Sequence, residues 1–434
     1  MPRRLDARQA GFAADFTRLV EARREAGGDV SALVGEIIAR VRQQGDAALV
    51  EYTQRFDRLA LTPATLRVPA AEIAAAWQAT APDLRAAIEL AASRIEAYHR
   101  RQRPADERYV DERGVTLGHR WTALAAVGLY VPGGLAAYPS TVLMNALPAR
   151  LAGVARLAMA VPAPDGRLNP LVLAAAHRAG VTEIYRVGGA QAVAALAFGT
   201  ASIAAVDKIV GPGNAYVAEA KRQVFGHVGI DAIAGPSEIV VVADAQSDAL
   251  WVAADLLSQA EHDETAQSIL LTDDAGLAER VAEAVLAQLA GLPRRAIAEA
   301  SWRNHGAIVV LERLADAVPL IDRLAPEHLL LSVGEPEPLA AAVRNAGAIF
   351  LGRHTPETIG DYLGGPNHVL PTARAARFSS GLGVIDFMKR TSLLGLDAGA
   401  LATLGPPAIR LAEAEGLAAH ARAVAIRLAG RSVP

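Results

Sequence analysis

The 434-residue chain contains no cysteine. Disulfides, thiolate zinc sites and cysteine-ligated iron–sulfur clusters are therefore excluded. So is covalent catalysis by a thiolate, the usual route for oxidising an aldehyde. The chain also lacks any strong excess of one charge: 43 Lys and Arg stand against 46 Asp and Glu, a net charge of −3. Nothing there points to nucleic acid or an anionic membrane as partner. The local basic cluster His99–Arg103 reads as a helix end. The first sixteen residues carry positive charge but no continuous apolar core, so no secretory signal is expected. The stretch Ala123–Ala149 is free of charge and long enough to cross a bilayer. Pro132, Gly133, Gly134 and Pro139 break it, however, and Ser140, Thr141 and Asn145 lie within it. A strand, a glycine turn and a helix explain it better than a membrane span. A cytoplasmic protein without low-complexity linkers or short repeats is the expectation.

What is present is apolar substance: 52% hydrophobic and 21% charged residues, ample for more than one core. From Val30 to Gln102 apolar residues recur at helical spacing. Arg108–Trp121 alternates about Arg113-Gly114 and reads as a hairpin. Alternation of strands and helices then begins. Strands are expected at Ala126–Val131, Leu157–Val161, Glu183–Val187, Lys208–Val210 and Ile239–Ala243, with helices at Ser140–Gly153, Pro170–Ala179, Ala190–Phe198 and Ala215–Phe225 between them. A second series follows, with strands Ser268–Thr272, Ala307–Leu311, Leu329–Val333 and Ala348–Leu351 and helices Ala275–Ala290, Leu314–Leu324 and Pro338–Asn345. Such units build parallel sheets flanked by helices. The expected fold class is α/β: two Rossmann-like open parallel-sheet domains with small helical N- and C-terminal extensions. The expected division is an extension over 1–29, a first α/β domain from 30–125 plus 237–380, a second over 126–236, and a tail over 381–434. Residues 353–392 read as a long functional loop. A terminal helix is expected over Ala408–Arg431, with Pro406 and Pro407 marking its start.

Open α/β sheets bind ligands beyond the carboxyl ends of their strands, and the glycine turns at 128–134 and 208–214 fall at such places. Gly211-x-Gly213 opens like a dinucleotide fingerprint, but Tyr216 stands where the third glycine belongs, so the signal alone is weak. Five of the ten histidines, His99, His119, His177, His227 and His305, lack acidic or amide company and read as surface or capping residues. His354 reads as structural. Four others differ. His262 shares a helical face with Gln259, His328 follows Glu327, His368 lies seven residues after Asp361, and His420 follows Glu415 on the terminal helix. Taken singly, each reads as a solvated helix face, a cap or a turn. Together they supply imidazole, carboxylate and amide groups suited to Zn²⁺ or Mn²⁺ where no thiol exists.

The segments 128–154, 188–200, 211–224, 234–244, 258–272, 325–331 and 360–372 together resemble histidinol dehydrogenase, in order and over most of the chain. The resemblance implies an NAD- and zinc-dependent enzyme that oxidises L-histidinol to L-histidine through L-histidinal, in the last steps of histidine biosynthesis. It implies one Zn²⁺ per subunit held by Gln259, His262, Asp361 and His420, and a catalytic pair Glu327 and His328. Substrate contacts would come from Ser237, His328, His368 and Glu415 with the metal ligands. Tyr130, Gln191 and Asn214 would contact NAD⁺ in the 126–236 domain. It also implies a homodimer whose C-terminal tail brings Glu415 and His420 to the partner's site. The residues themselves agree: a histidine suits removal of a hydroxyl proton, and without cysteine the aldehyde is most simply hydrated, with Glu327 activating the water. Three alternatives stand beside this reading. One is a zinc hydrolase, for which no H-E-x-x-H pattern is present. Another is a two-lobed solute-binding protein, against which the missing export signal speaks. The third is a relative acting on a related amino alcohol.

Overall fold

The structure, a computed structural model, describes residues 2–22, 30–133, 138–233 and 235–429. It divides into two compact units: residues 1–102 with 125–387, and residues 103–124 with 388–434.

The first unit contains two wholly parallel sheets. One has five strands: β4 (Ala126–Tyr130), β5 (Arg156–Ala160), β6 (Glu183–Tyr185), β7 (Lys208–Val210) and β8 (Gly229–Ile230), in the order β6-β5-β4-β7-β8. The other has six: β1 (Arg3–Asp6), β9 (Glu238–Ala243), β10 (Gln267–Thr272), β11 (Ala307–Val310), β12 (His328–Ser332) and β13 (Ala348–Leu351), in the order β1-β11-β10-β9-β12-β13. Leaving aside β1, which joins the six-stranded sheet at its edge, each sheet starts in its middle, winds to one side and then returns to the other. A topological switch point therefore lies between β4 and β7 in one sheet and between β9 and β12 in the other. The two Rossmann-like sheets expected from the sequence are thus present, and strands such as Glu238–Ala243 and Gln267–Thr272 are buried throughout, as parallel strands covered on both faces must be.

Three expectations about the segments around these sheets fail. Residues 1–29 are not purely helical: Arg3–Asp6 forms β1, paired in parallel with β11, before the helix Phe12–Glu21. As an edge strand bearing Arg3, Arg4 and Asp6, it shows none of the apolar periodicity of an inner strand. The helices of 31–100 do not join the domain formed by 237–380. Val34, Ile37, Val41, Leu49 and Leu66 share one core with Tyr130, Val193, Leu196 and Val217, so this helical layer covers the five-stranded sheet. The helices Arg295–His305 and Glu357–Tyr362 were not foreseen. Gly134 of the expected glycine turn and residues 135–137 lie outside the described residues.

The second unit pairs the expected hairpin, β2 (Glu107–Val110) and β3 (Thr116–Ala123), with β14 (Met388–Gly395) in an antiparallel sheet ordered β14-β3-β2. Residues 388–392 are thus strand and not loop: β3 offers eight consecutive partners, from Ala123 opposite Met388 to Thr116 opposite Gly395. The last helices are Ala398–Ala414 and Ala418–Leu428. Pro406 and Pro407 lie inside the first of these and do not start it. The start is set upstream by Asp397, whose side chain accepts from Ala400 N at 2.8 Å.

Candidate active site and metal centre

At the carboxyl end of the five-stranded sheet, β7 runs into the turn Gly211–Gly213. Gly211 has φ +113°, and a Cβ there would lie 2.0 Å from Tyr130 O, so only glycine fits. Asp231 accepts from Gly211 N at 2.7 Å. Lys221, fully buried, pairs with Asp231 and donates to Gly211 O at 3.0 Å. Asn214 caps the following helix, its side chain accepting from Tyr216 N and Val217 N. Across the switch point, Tyr130 Oη accepts from Gly189 N at 3.0 Å, and burial pushes the Tyr130 hydroxyl up to about 12. Gln191, two residues on, is buried, and its Oε1 has no hydrogen-bond partner among the described residues. Tyr130, Gln191 and the turn before Asn214 are therefore gathered at one sheet edge, with an acceptor left for a ligand.

The six-stranded sheet contributes from its opposite end. Ser237 immediately precedes β9, and Glu327 and His328 stand at the start of β12, next to β9. These residues lie at the amino ends of their strands, contrary to the expectation that the motifs sit beyond carboxyl ends. The helix Ala249–Ala260 returns antiparallel to the strands it links, so its C-terminal residue pair is delivered to the same edge. Glu327 Oε2 accepts from Glu238 N at 2.9 Å. His328 Nδ1 donates to Glu238 O at 2.9 Å, which leaves Nε2 carrying the lone pair. That Nε2 is buried, has no hydrogen-bond partner among the described residues and lies 3.4 Å from Glu357 Oε1. Burial pushes the Glu327 carboxyl well above the ordinary carboxylate range. It pushes the His328 imidazole down to about 4, so the ring is neutral near pH 7.

Gln259 and His262 share the end of one helix, although not one continuous turn of it. The helix ends at Ala260, and His262 lies in the turn beyond, its N donating to Gln259 O at 3.2 Å. Gln259 is 1% exposed and its Oε1 is unpartnered among the described residues. Asp361 sits on the helix Glu357–Tyr362. His368 Nδ1 donates to Asp361 O at 3.1 Å and lies 3.7 Å from Asp361 Oδ1. Burial also lowers the His368 imidazole. A residue the sequence reading missed completes the cluster: Glu357, 2% exposed, has a ligand atom within 4.8 Å of those of His328 and Asp361. Burial, then the charge of Asp361, pushes Glu357 up to about 8. Its signal was present as the spacing of Glu357 and Asp361, one helical turn apart in a short helix. An amide oxygen buried without a donor fits a metal ligand, since an unmade hydrogen bond there costs about 1–3 kcal/mol. Imidazole, carboxylate and amide are also the donors a borderline divalent cation accepts.

The two halves meet. A cavity of about 330 Å³ is lined by Gly211, Pro212 and Gly213 from one sheet and by Ser237, His262, Glu327, His328 and Asp361 from the other side, with His368 beside them. Glu415 and His420 belong to the second unit, where both are exposed. Of the histidines assigned to surfaces, His99 is fully buried, its Nδ1 donating to Ile95 O at 2.8 Å. The helix Pro82–Arg100 packs along the helix Pro139–Ala152 and so encloses it. His177 and His227 stack on Trp77 and Phe198.

The carboxyl end of one parallel sheet and the amino end of the other thus bring a buried imidazole, a buried carboxyl and a cluster of nitrogen and oxygen donors to one cavity, the arrangement of an α/β protein with a candidate active site. The comparisons with known proteins make the family specific. A sequence model described as histidinol dehydrogenase matches residues 21–428. The histidinol dehydrogenase of Rhodospirillum rubrum is 62% identical over 429 residues, covering 99% of both chains. That of Bradyrhizobium diazoefficiens is 62% identical over 428 residues, again covering 99% of both. The crystal structure of histidinol dehydrogenase from Elizabethkingia anophelis superposes with a TM-score of 0.94 at 36% identity, covering 99% of this chain and 98% of that one. The chain belongs to the histidinol dehydrogenase family, and it is an oxidoreductase.

Proposed function

We propose that this protein oxidises L-histidinol to L-histidine by way of L-histidinal, with NAD⁺ accepting both hydrides, as a homodimer in the cytoplasm. The observation that carries the reading is the shared cavity: the glycine turn Gly211–Gly213 and the His328–Glu327 pair line one space. Tyr130, Gln191 and Asn214 are the proposed NAD⁺ contacts. The unpartnered Gln259 Oε1 supports a zinc site made by Gln259, His262 and Asp361, with His420 and Glu415 arriving from the other subunit's exposed tail. When bound, zinc supplies a positive charge that holds the substrate's imidazole and amine nitrogens in place.

The chain's own residues account for the proton movements. In the first oxidation a C–H bond gives its hydride to NAD⁺ and the hydroxyl loses its proton. His328 Nε2, neutral and without a hydrogen-bond partner among the described residues, takes that proton. In the second, water adds to the aldehyde and the hydrate loses a hydride and a proton. Glu327, made more basic by burial, takes the proton from the water. Ser237 and His368 line the cavity and orient the substrate. Zinc-loaded protein with L-histidinol and NAD⁺ should yield two NADH per histidinol consumed. Absence of NADH from a fully loaded sample would end this reading. Binding without turnover would instead favour a solute-binding role.

A further inference from the structure

We infer that Glu238 is a positioning residue that holds both Glu327 and His328 in place for the two proton transfers. The inference rests on the function proposed above. Glu238 opens β9, and its neighbour in the sheet is the start of β12. Among the described residues, four hydrogen bonds that bear on the site converge on this buried residue. Its backbone N donates to Glu327 Oε2 at 2.9 Å, and its backbone O accepts from His328 Nδ1 at 2.9 Å. Its side chain answers: Oε2 accepts from Glu327 N at 3.3 Å, and Oε1 accepts from Ala373 N at 3.2 Å. Glu238 and Glu327 thus cross-bond, the carboxylate of each accepting from the other's backbone N–H. The bond to His328 also fixes the tautomer, because an N–H at Nδ1 obliges Nε2 to be the base.

The chemistry of the side chain is specific. Both carboxylate oxygens accept from backbone N–H groups, and one of those groups belongs to Glu327 itself. An amide offers one acceptor and one donor, so glutamine can keep only one of the two bonds. Alanine keeps neither: the backbone bonds of residue 238 to Glu327 Oε2 and His328 Nδ1 can still form, but the main chain of Glu327 loses its anchor at the amino end of β12. A displacement of about 1 Å at such a residue costs on the order of 10²-fold in rate. The loss should fall on kcat, because Glu238 does not line the cavity that receives substrate.

The test compares Glu238→Ala and Glu238→Gln with the wild type, all loaded with zinc. Expected for Glu238→Ala is a fall in kcat of about 10²-fold with KM for histidinol and bound zinc close to wild type. Glu238→Gln should fall between that variant and the wild type. L-histidinal should be released in part, because Glu327 is held by two of the four contacts. A folded Glu238→Ala with wild-type kcat overturns the inference. So does one that loses kcat only together with zinc and KM, which would mark a merely structural part. If Glu238→Ala does not fold, Glu238→Gln decides alone: lower kcat at unchanged KM supports the inference, and wild-type kcat overturns it. Wild-type turnover is the control. Its absence would overturn the proposed function and this inference with it, whereas turnover with unaffected variants overturns the inference alone.

Discussion

On the proposed mechanism, replacing Glu327 by glutamine should separate the two oxidations. Glu327 Oε2 accepts from Glu238 N at 2.9 Å. The glutamine Oε1 can occupy the same place and accept the same bond, so the backbone around His328 should not move. What disappears is the proton acceptor. A positioned general base contributes about 10²–10⁴-fold, which corresponds to about 2.7–5.4 kcal/mol of barrier. That loss should fall on the aldehyde step, where water must be deprotonated, while His328 still serves the alcohol step. The assay is NADH counted against histidinol consumed, with a carbonyl trap to capture histidinal. The ratio should drop from two toward one as trapped aldehyde appears. Equal losses in both steps would refute the division of labour. Stability supplies an independent check on the same variant. Burial, then the nearby Glu238, Asp361 and Glu357 charges, hold the Glu327 carboxyl well above its ordinary value. A carboxyl raised in the folded state contributes stability that is fully present below its unfolded pKa. That stability is lost as pH rises from about 4.3 through the folded value. Glutamine does not titrate, so the wild type should fall behind the variant in denaturation midpoint as pH rises over that range. A gap that closes with rising pH would contradict the assigned environment.

Other expectations follow from the same geometry. Gln259→Leu keeps bulk but removes the unpartnered acceptor, and zinc affinity should fall by about 10–100-fold in a competition titration with a chelating dye; unchanged affinity would remove Gln259 from the ligand set. Lys221→Met leaves Asp231 buried without its cation, and the urea midpoint should report a loss of about 3–5 kcal/mol; a loss under about 1 kcal/mol would mean that water replaces the ammonium. If His420 acts across a dimer, mixing His262→Ala with His420→Ala subunits should restore about a quarter of wild-type activity, since half the dimers are mixed and each then has one intact site. No recovery would place His420 within its own subunit's site.

Much of the architecture was legible because its signals are local. Buried parallel strands are short apolar runs, and Ile239–Val242 or Ile269–Leu271 could be read directly as such. Helices between them showed their 3.6-residue spacing, and the chemical types of the donors, an amide and imidazoles without thiols, were visible as letters. Signals that depend on a partner elsewhere were not. Arg3–Asp6 turns only Leu5 to the core and Met388–Gly395 is largely exposed, so both become strands because β11 and β3 present edges to them. Glu357 reads as the acidic first turn of a short helix, and acquires meaning only when His328, twenty-nine residues earlier, lies 3.4 Å away.

The sequence by itself determined the elements and the chemistry: α/β units in series, no thiol route, and a set of nitrogen and oxygen donors. The tertiary structure decided which sheet each helix covers and which ends of the strands carry the site. Its reason is geometric. Sheet order brings the amino ends of β9 and β12 together although nearly ninety residues separate Glu238 from Glu327, and their cross-bonding has no counterpart in any local periodicity. Helices of 31–100 chose the five-stranded sheet by shape and buried area, a choice that an apolar face alone does not specify.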